Sequence, residues 1–269
     1  MNFRKIFIFI KKDFIIESSY KLSFVQSMLT SIFPIISFFF IGKLLEGTSS
    51  VALDNYGGKY FPFALIGIAF VRYFQLAVDT FSGSIKRAQM AGCLEAILSS
   101  QTDPRSMVVM SSFYSFISAG FQLIVMFVVA FLFLGFEFSN TNVPATLVTL
   151  LVSLIMFISL GILSAAGTVI FKQGEPIGWM FGVVSALLSG AMFPVSVMPD
   201  WLKDIAAVFP LTYSLDALRL ALLKDQSILM ISRQLVIIST IAFALFPVSL
   251  WVFKWAIEKG KQDGTLMQY

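Results

Sequence analysis

The sequence predicts an all-α polytopic membrane protein with six transmembrane helices. Three observations carry that prediction. Of the 269 residues, 58% are hydrophobic and 13% are charged. Soluble domains carry about 25% charged residues, so a water-facing surface cannot be built from this set. Second, the apolar residues collect in runs that reach the length a bilayer crossing needs, about 20 residues. Third, the basic residues fall unevenly on alternate sides of those runs, as spanning helices require. Mean hydropathy is +0.87.

In chain order, Phe3, Ile6, Phe7, Ile10 and Phe14 recur at helical spacing, with Arg4, Lys5, Lys11, Lys12 and Asp13 largely on other faces. Residues 1–21 therefore read as an amphipathic helix lying in an anionic headgroup layer. A basic leader ahead of the first span accounts for them equally well. They do not read as a cleavable signal, since charges interrupt the apolar run and no small-residue cleavage site follows.

The first span is expected over residues 22–45, followed by a polar loop holding Asp54, Gly57 and Gly58. The second, over 60–81, carries Arg72 near its middle. Residues 83–105 form the largest internal hydrophilic loop. The third span covers 107–136, and a turn with Glu137, Asn140, Asn142 and Pro144 leads to the fourth, 145–171. A small charged loop (Lys172 to Pro176) precedes the fifth, 177–197. Residues 224–233 link to the sixth, 234–257, and a polar tail follows.

Between the fifth and sixth spans the pattern changes. Pro199-Asp200 breaks the helix. Two short apolar helices follow at 201–209 and 211–223, separated by Pro210. Apolar pieces of about 10–14 residues do not cross alone and read as re-entrant, interfacial or buried segments. A re-entrant helical hairpin over 198–223 is expected. Irregular backbone at membrane depth is tolerated only against protein or water, so a pathway or gate is expected near Pro199, Trp201, Pro210 and Tyr213.

An even number of spans puts both ends on one side. With the ends in the cytoplasm, twelve basic residues lie inside (Arg4, Lys5, Lys11, Lys12, Lys21, Lys86, Arg87, Arg105, Lys172, Lys254, Lys259, Lys261). Six lie outside (Lys43, Lys59, Lys203, Arg219, Lys224, Arg233). That excess fixes the orientation and makes the hairpin extracytoplasmic.

Gly174, Gly178 and Gly182 repeat every four residues, with Ser185 and Ser189 close to the same face. Small-residue stripes let helices approach closely. Packing within one chain and packing at a seam between two chains both satisfy this one. In the loop after the second span, Met90, Leu94, Ile97 and Leu98 share one helical face, and Thr102-Asp103-Pro104 ends the element. A short amphipathic helix of this kind docks into a groove on a soluble partner or lies on the membrane surface.

This loop resembles the coupling-helix region of the type-2 ABC transporter permeases, the export class. The family pattern is a small residue, Gly, Thr, Leu, Glu, two apolar residues and a Ser/Thr-Pro turn. Here it stands as Ala91-Gly92-Cys93-Leu94-Glu95-Ala96-Ile97-Leu98 with Thr102-Asp103-Pro104. Cys93 replaces the usual Thr, and Asp103 intrudes before the Pro. Glu175-Pro176, the run from Phe193 to Leu202, Phe209-Pro210-Leu211-Thr212-Tyr213 and Asp216-Ala217-Leu218-Arg219 are similar to the family's signature near its carboxyl end.

The resemblance implies one transmembrane permease domain over 1–269. It would have an amino-terminal interfacial helix, a cytoplasmic coupling helix formed by Met90 to Glu95 with Ile97 and Leu98, and the extracytoplasmic hairpin. It implies an exporter subunit for a drug, lipid or lipid-linked molecule. Two such chains, identical or related, would pair, each docked on a separate ATPase that binds ATP and Mg2+, with no cofactor on this chain. A prokaryotic cytoplasmic membrane is the implied location. The carboxyl-end pattern looks more like the drug and lipid exporters. A lipid-linked polysaccharide or teichoic-acid exporter is the alternative within the family.

Independent exclusions agree. Gly42-Lys43, Gly58-Lys59 and Gly260-Lys261 all lack the flanking residues of a phosphate-binding loop. Histidine is absent and Cys93 is the single cysteine, which removes the commonest metal ligand and any Cys cluster. No GxSxG or paired intramembrane carboxylates point to an enzyme. The basic residues flank spans and form no nucleic-acid patch. A self-sufficient secondary transporter would show internal repeats or more intramembrane ionisable groups, and no clear repeat is present. Arg72 and Glu175 have two readings each: a buried partner and a helix cap, or the lining of a route for an amphipathic or anionic substrate.

Overall fold

Long apolar runs must satisfy their own backbone groups, because lipid offers no partner, and the helix does this within one segment. The computed structural model describes residues 7, 11, 14–15, 19–46, 51–90, 104–137, 141–171 and 182–262, and no strand occurs among them. The helices are α1 (Lys21–Leu44), α2 (Tyr60–Met90), α3 (Pro104–Phe133), α4 (Val143–Phe171), α5 (Asp200–Val208), α6 (Pro210–Leu223) and α7 (Ser232–Gln262). Pro104 opens α3 and Pro210 opens α6, where a missing N–H costs nothing. Hydroxyls inside the helices bond back to the preceding turn, as from Thr149 to Ala145 O and Ser159 to Ile155 O, both at 2.8 Å.

Five of these helices contain stretches long and apolar enough to cross a membrane: Val25–Leu44, Tyr60–Lys86, Tyr114–Phe133, Val143–Ile170 and Ser232–Gly260. The number is six if α5 and α6, bent by 91°, make one broken span. The chain is therefore a multi-pass membrane protein. Of the α2 stretch 72% is buried, against 17% for α1 and for α3; α2 is the axis on which α1, α3 and α4 pack, and α7 packs on α4.

Three apolar clusters line that axis. Ile66, Phe70 and Phe74 meet Met156 and Phe157 of α4, Leu211 and Leu215 of α6, and Ile238 of α7. Phe81 and Ile85 meet Ile162 and Val169 of α4 and Phe253 of α7. Leu65 and Ala69 meet Ile35 of α1 and Met126 of α3. Phe157 sits among Phe70, Tyr73 and Phe74 with ring centroids 5.2, 6.5 and 5.0 Å away. Gly161 lets α4 approach this face. A Cβ there would lie 2.7 Å from Ala77 O, closer than real Cβ contacts come.

Several expected boundaries move. α2 does not stop at Phe81. It continues to Met90, so the first part of the expected 83–105 loop is helix. The polar residues there, Ser82 and Ser84, bond to α2's own carbonyls and do not break it. The fifth apolar run is helical over 182–188 and ends in a turn at Ser189-Gly190, short of Val197. Gly190 has φ +75°, a left-handed conformation that stops a helix. The coupling residues 91–98, Glu175, Gly174 and Gly178 lie outside the described residues, as does most of 1–21.

Candidate functional site

The densest polar constellation lies on α6. This helix is short, yet Leu211, Ser214, Leu215, Ala217, Leu218, Arg219 and Ala221 are all buried. A charged side chain in such a helix must find hydrogen bonds for every donor. Arg219 does so with backbone carbonyls. Its Nη1 donates to Gly190 O at 2.8 Å, and its Nη2 to Ala191 O at 2.7 Å and Phe63 O at 3.1 Å. Its Nε donates to Phe63 O at 3.2 Å. The guanidinium also stacks over the Phe63 ring, 3.5 Å from its centroid.

Those bonds explain how the helix break at 189–192 survives at depth. Buried carbonyls outside a helix or sheet need partners from elsewhere in the chain. Here Arg219 takes those of Gly190 and Ala191, and Tyr60 Oη donates to Met192 O at 3.0 Å. Gly67 makes room for the arrangement, because a Cβ at that position would collide with Ala191 O and the Arg219 guanidinium.

A second layer fixes the charge balance. Asp216, one turn before Arg219, accepts from Tyr56 Oη and from Gln234 Nε2, each at 2.8 Å. Tyr56 ends the short 3-10 turn Val51–Tyr56 ahead of α2. Burial first, and then the Asp216 carboxylate, hold its phenol above the ordinary tyrosine range. The far end of α6 is held as well. Asn142 N donates to Ala221 O at 2.8 Å and Thr141 Oγ1 to Leu222 O at 3.1 Å. Asn142 Oδ1 in turn accepts from Ala145 N at 3.1 Å, capping α4.

The elbow between α5 and α6 is stapled from the α6 side. Thr212 Oγ1 donates to Ala206 O and Tyr213 Oη to Ala207 O, both at 2.9 Å. Under the elbow lies a pocket of about 230 Å³ lined by Phe74, Met156, Leu160, Ser185, Val208, Phe209, Pro210 and Leu211. Ser185 is its one polar side chain, so it suits an apolar group.

Of the expected site residues that are described, Pro199, Trp201, Pro210 and Tyr213 lie on the α5–α6 pair, and Arg72, Gly182 and Met90 lie elsewhere. Pro210 lines the elbow pocket. Tyr213 staples the elbow, and Pro199 caps α5, accepting from Leu202 N at 2.9 Å. Trp201 stands on the outer face of α5, 66% exposed. Gly182 packs inside the chain, where an added Cβ would sit 3.1 Å from Gln75 Nε2. Arg72 lines a separate notch between α1, α2 and α3. Met90 ends α2.

Arg219 is the residue whose surroundings the sequence showed least. Counted by position it is an outer flanking charge, whereas the fold buries it to 3% exposure. Its signal was present: Asp216 and Arg219 stand three apart in a helix otherwise apolar and too short to span. The partners Tyr56, Tyr60 and Gln234 carried no local signal.

A family model described as ABC-2 type transporter matches residues 4–223. No curated protein matches the chain.

Proposed function

The chain belongs to the ABC-2 type transporter family, and from that premise we propose that it is the permease of an ATP-driven exporter. As the family's membrane domain it is a transport subunit. The direction is outward, and the cargo is a hydrophobic or amphipathic molecule such as a drug, lipid or lipid-linked molecule, taken from the cytoplasm or inner leaflet. ATP and Mg2+ are handled by a separate nucleotide-binding subunit. Two permease chains pair, and each coupling helix, Met90 to Leu98, docks on one ATPase. Both termini face the cytoplasm of a prokaryotic cell, residues 1–21 lie on the inner surface, and α5–α6 form the extracytoplasmic re-entrant hairpin.

The observation that carries the reading is the family match, which runs from the amino-terminal region through the whole of α6. The geometry supports it. An apolar pocket sits beneath a helical elbow, and the adjoining helix break is held by side chains. In this reading the pocket takes the apolar part of the cargo and the Arg219 clamp holds the outer gate.

The test is a pull-down from the native membrane in mild detergent, with an ATPase assay on what co-purifies. A stoichiometric nucleotide-binding subunit with vanadate-sensitive activity is the expected result. Gly92→Pro together with Glu95→Ala should separate that activity from transport. A chain that purifies alone in several detergents, without ATPase activity, would overturn the proposal.

A further inference from the structure

Arg72 lies inside the apolar stretch of α2 and is exposed on the surface of the single chain. With Ser31 of α1 and Gln122 of α3 it lines a shallow notch of about 10 Å³, whose wall also includes Tyr73 and Met126. At about 1.5 Å rise per residue, Ser31, Gln122 and Arg72 lie roughly 9, 12 and 18 Å from the nearer ends of their apolar stretches. The notch therefore opens at hydrocarbon depth, below the headgroup layer.

A cation there is costly unless something of opposite charge or strong polarity meets it. Among the described residues, no hydrogen bond or ion pair engages Arg72. Two acidic residues fall inside the five apolar stretches. Asp79 lies two turns further along α2 and is already engaged. Glu258 is 3.5 Å from Lys254 at the far end of α7. A second copy of the chain brings the same two, so its described spans offer no additional carboxylate at this depth. Ser31 Oγ donates to Ser27 O at 2.9 Å and lies 3.4 Å from Gln122 Oε1, and among the described residues no hydrogen bond engages the Gln122 amide nitrogen, a donor lining the same notch as Arg72. The notch presents a fixed positive charge and a neutral donor, and it has room for about one oxygen-sized group.

We propose that the Arg72–Gln122 notch binds the anionic group, phosphate or carboxylate, of an amphiphile whose chain stays in the bilayer. The anion neutralises Arg72 where the protein does not. One oxygen enters the notch and accepts from the guanidinium and the amide, and the remaining oxygens stay outside. The amphiphile is either the transported cargo or a resident anionic lipid. The first of these rests on the permease reading above.

The experiment uses the purified full chain, with any ATPase that co-purifies, in phosphatidylcholine nanodiscs, with saturable binding of radiolabelled dodecyl phosphate measured against dodecanol. Wild type should favour the phosphate at least tenfold. Arg72→Gln should lose that preference while binding dodecanol and unfolding thermally as wild type does. Arg72→Lys should keep part of it. ATPase stimulation by dodecyl phosphate identifies the cargo. Arg72-dependent binding without stimulation identifies a resident lipid. Equal affinity for phosphate and alcohol in wild type, or an unchanged preference in Arg72→Gln, overturns the proposal. The binding arm needs no ATPase partner, so failure of the exporter reading registers separately.

Discussion

Replacing Arg219 by Met keeps the stem and removes every donor. Gly190 O and Ala191 O then lose the partners that hold them at 2.8 and 2.7 Å. An orphaned buried acceptor costs about 1–3 kcal/mol. Phe63 O suffers less, since it lies in a helix. Asp216 keeps its bonds to Tyr56 and Gln234 but loses the cation one turn away. Relief from burying a guanidinium offsets part of the loss. Two orphaned carbonyls, less that relief, leave about 2–4 kcal/mol net. At about 2–4 °C per kcal/mol for a chain of this size, Tm should fall by roughly 10 °C. Tryptophan fluorescence during a thermal ramp in detergent measures it. Arg219→Lys keeps the charge but not the fork, and should fall between the two. With Asp216→Asn added, the combined loss should be less than the sum of the single losses, because the two residues serve one network. A shift below about 2 °C for Arg219→Met would show that the carbonyls at 190–191 do not depend on this side chain, and the clamp argument would fail.

Gly190→Ala forces a Cβ into a φ of +75° and within 2.8 Å of Val195 Cγ2. A cost of at least about 1–2 kcal/mol follows, read as a lowered Tm with the chain still monodisperse on gel filtration. Leu160→Trp puts bulk into the 230 Å³ elbow pocket. Assembly with the ATPase should persist while cargo-stimulated hydrolysis is lost, and undiminished stimulation would remove the pocket from the route. Tyr56 gives a pH signature. Its phenol is held above the usual value, so its contribution is intact below about pH 10. That contribution declines as pH rises further, by up to about 1.4 kcal/mol per pH unit. Tyr56→Phe should flatten that alkaline decline in Tm, and an unchanged slope would contradict it.

The spans were legible because their signal is compositional and continuous. The windows around α1, α3, α4 and α7 needed nothing beyond hydropathy. The Phe81 boundary was misplaced because serines read as loop, whereas inside a membrane helix Ser82 and Ser84 satisfy themselves on the preceding turn. The end of the fifth run was hidden for a different reason. Ser189-Gly190 sits in an apolar stretch, and what makes the break tolerable is an arginine 29 residues later. Pro210 reads as a discontinuity in the sequence, and only the fold shows it as the first residue of α6 and as a pocket wall. The clamp depends on Tyr56, Tyr60, Phe63 and Arg219 meeting across distant parts of the chain, which no local pattern encodes.

The elbow holds its two helices unequally. α6 is anchored at one end by the Asn142 and Thr141 bonds and along its length by Arg219. Among the described residues α5 is tied to α6 by the bonds from Thr212 and Tyr213 alone, and its Trp201 stands exposed beyond them. Both bonds bridge Phe209, so the bend at that residue is held from either side. Val208, Phe209 and Pro210 are also one rim of the pocket. The same two bonds therefore set both the bend of the elbow and the shape of that rim.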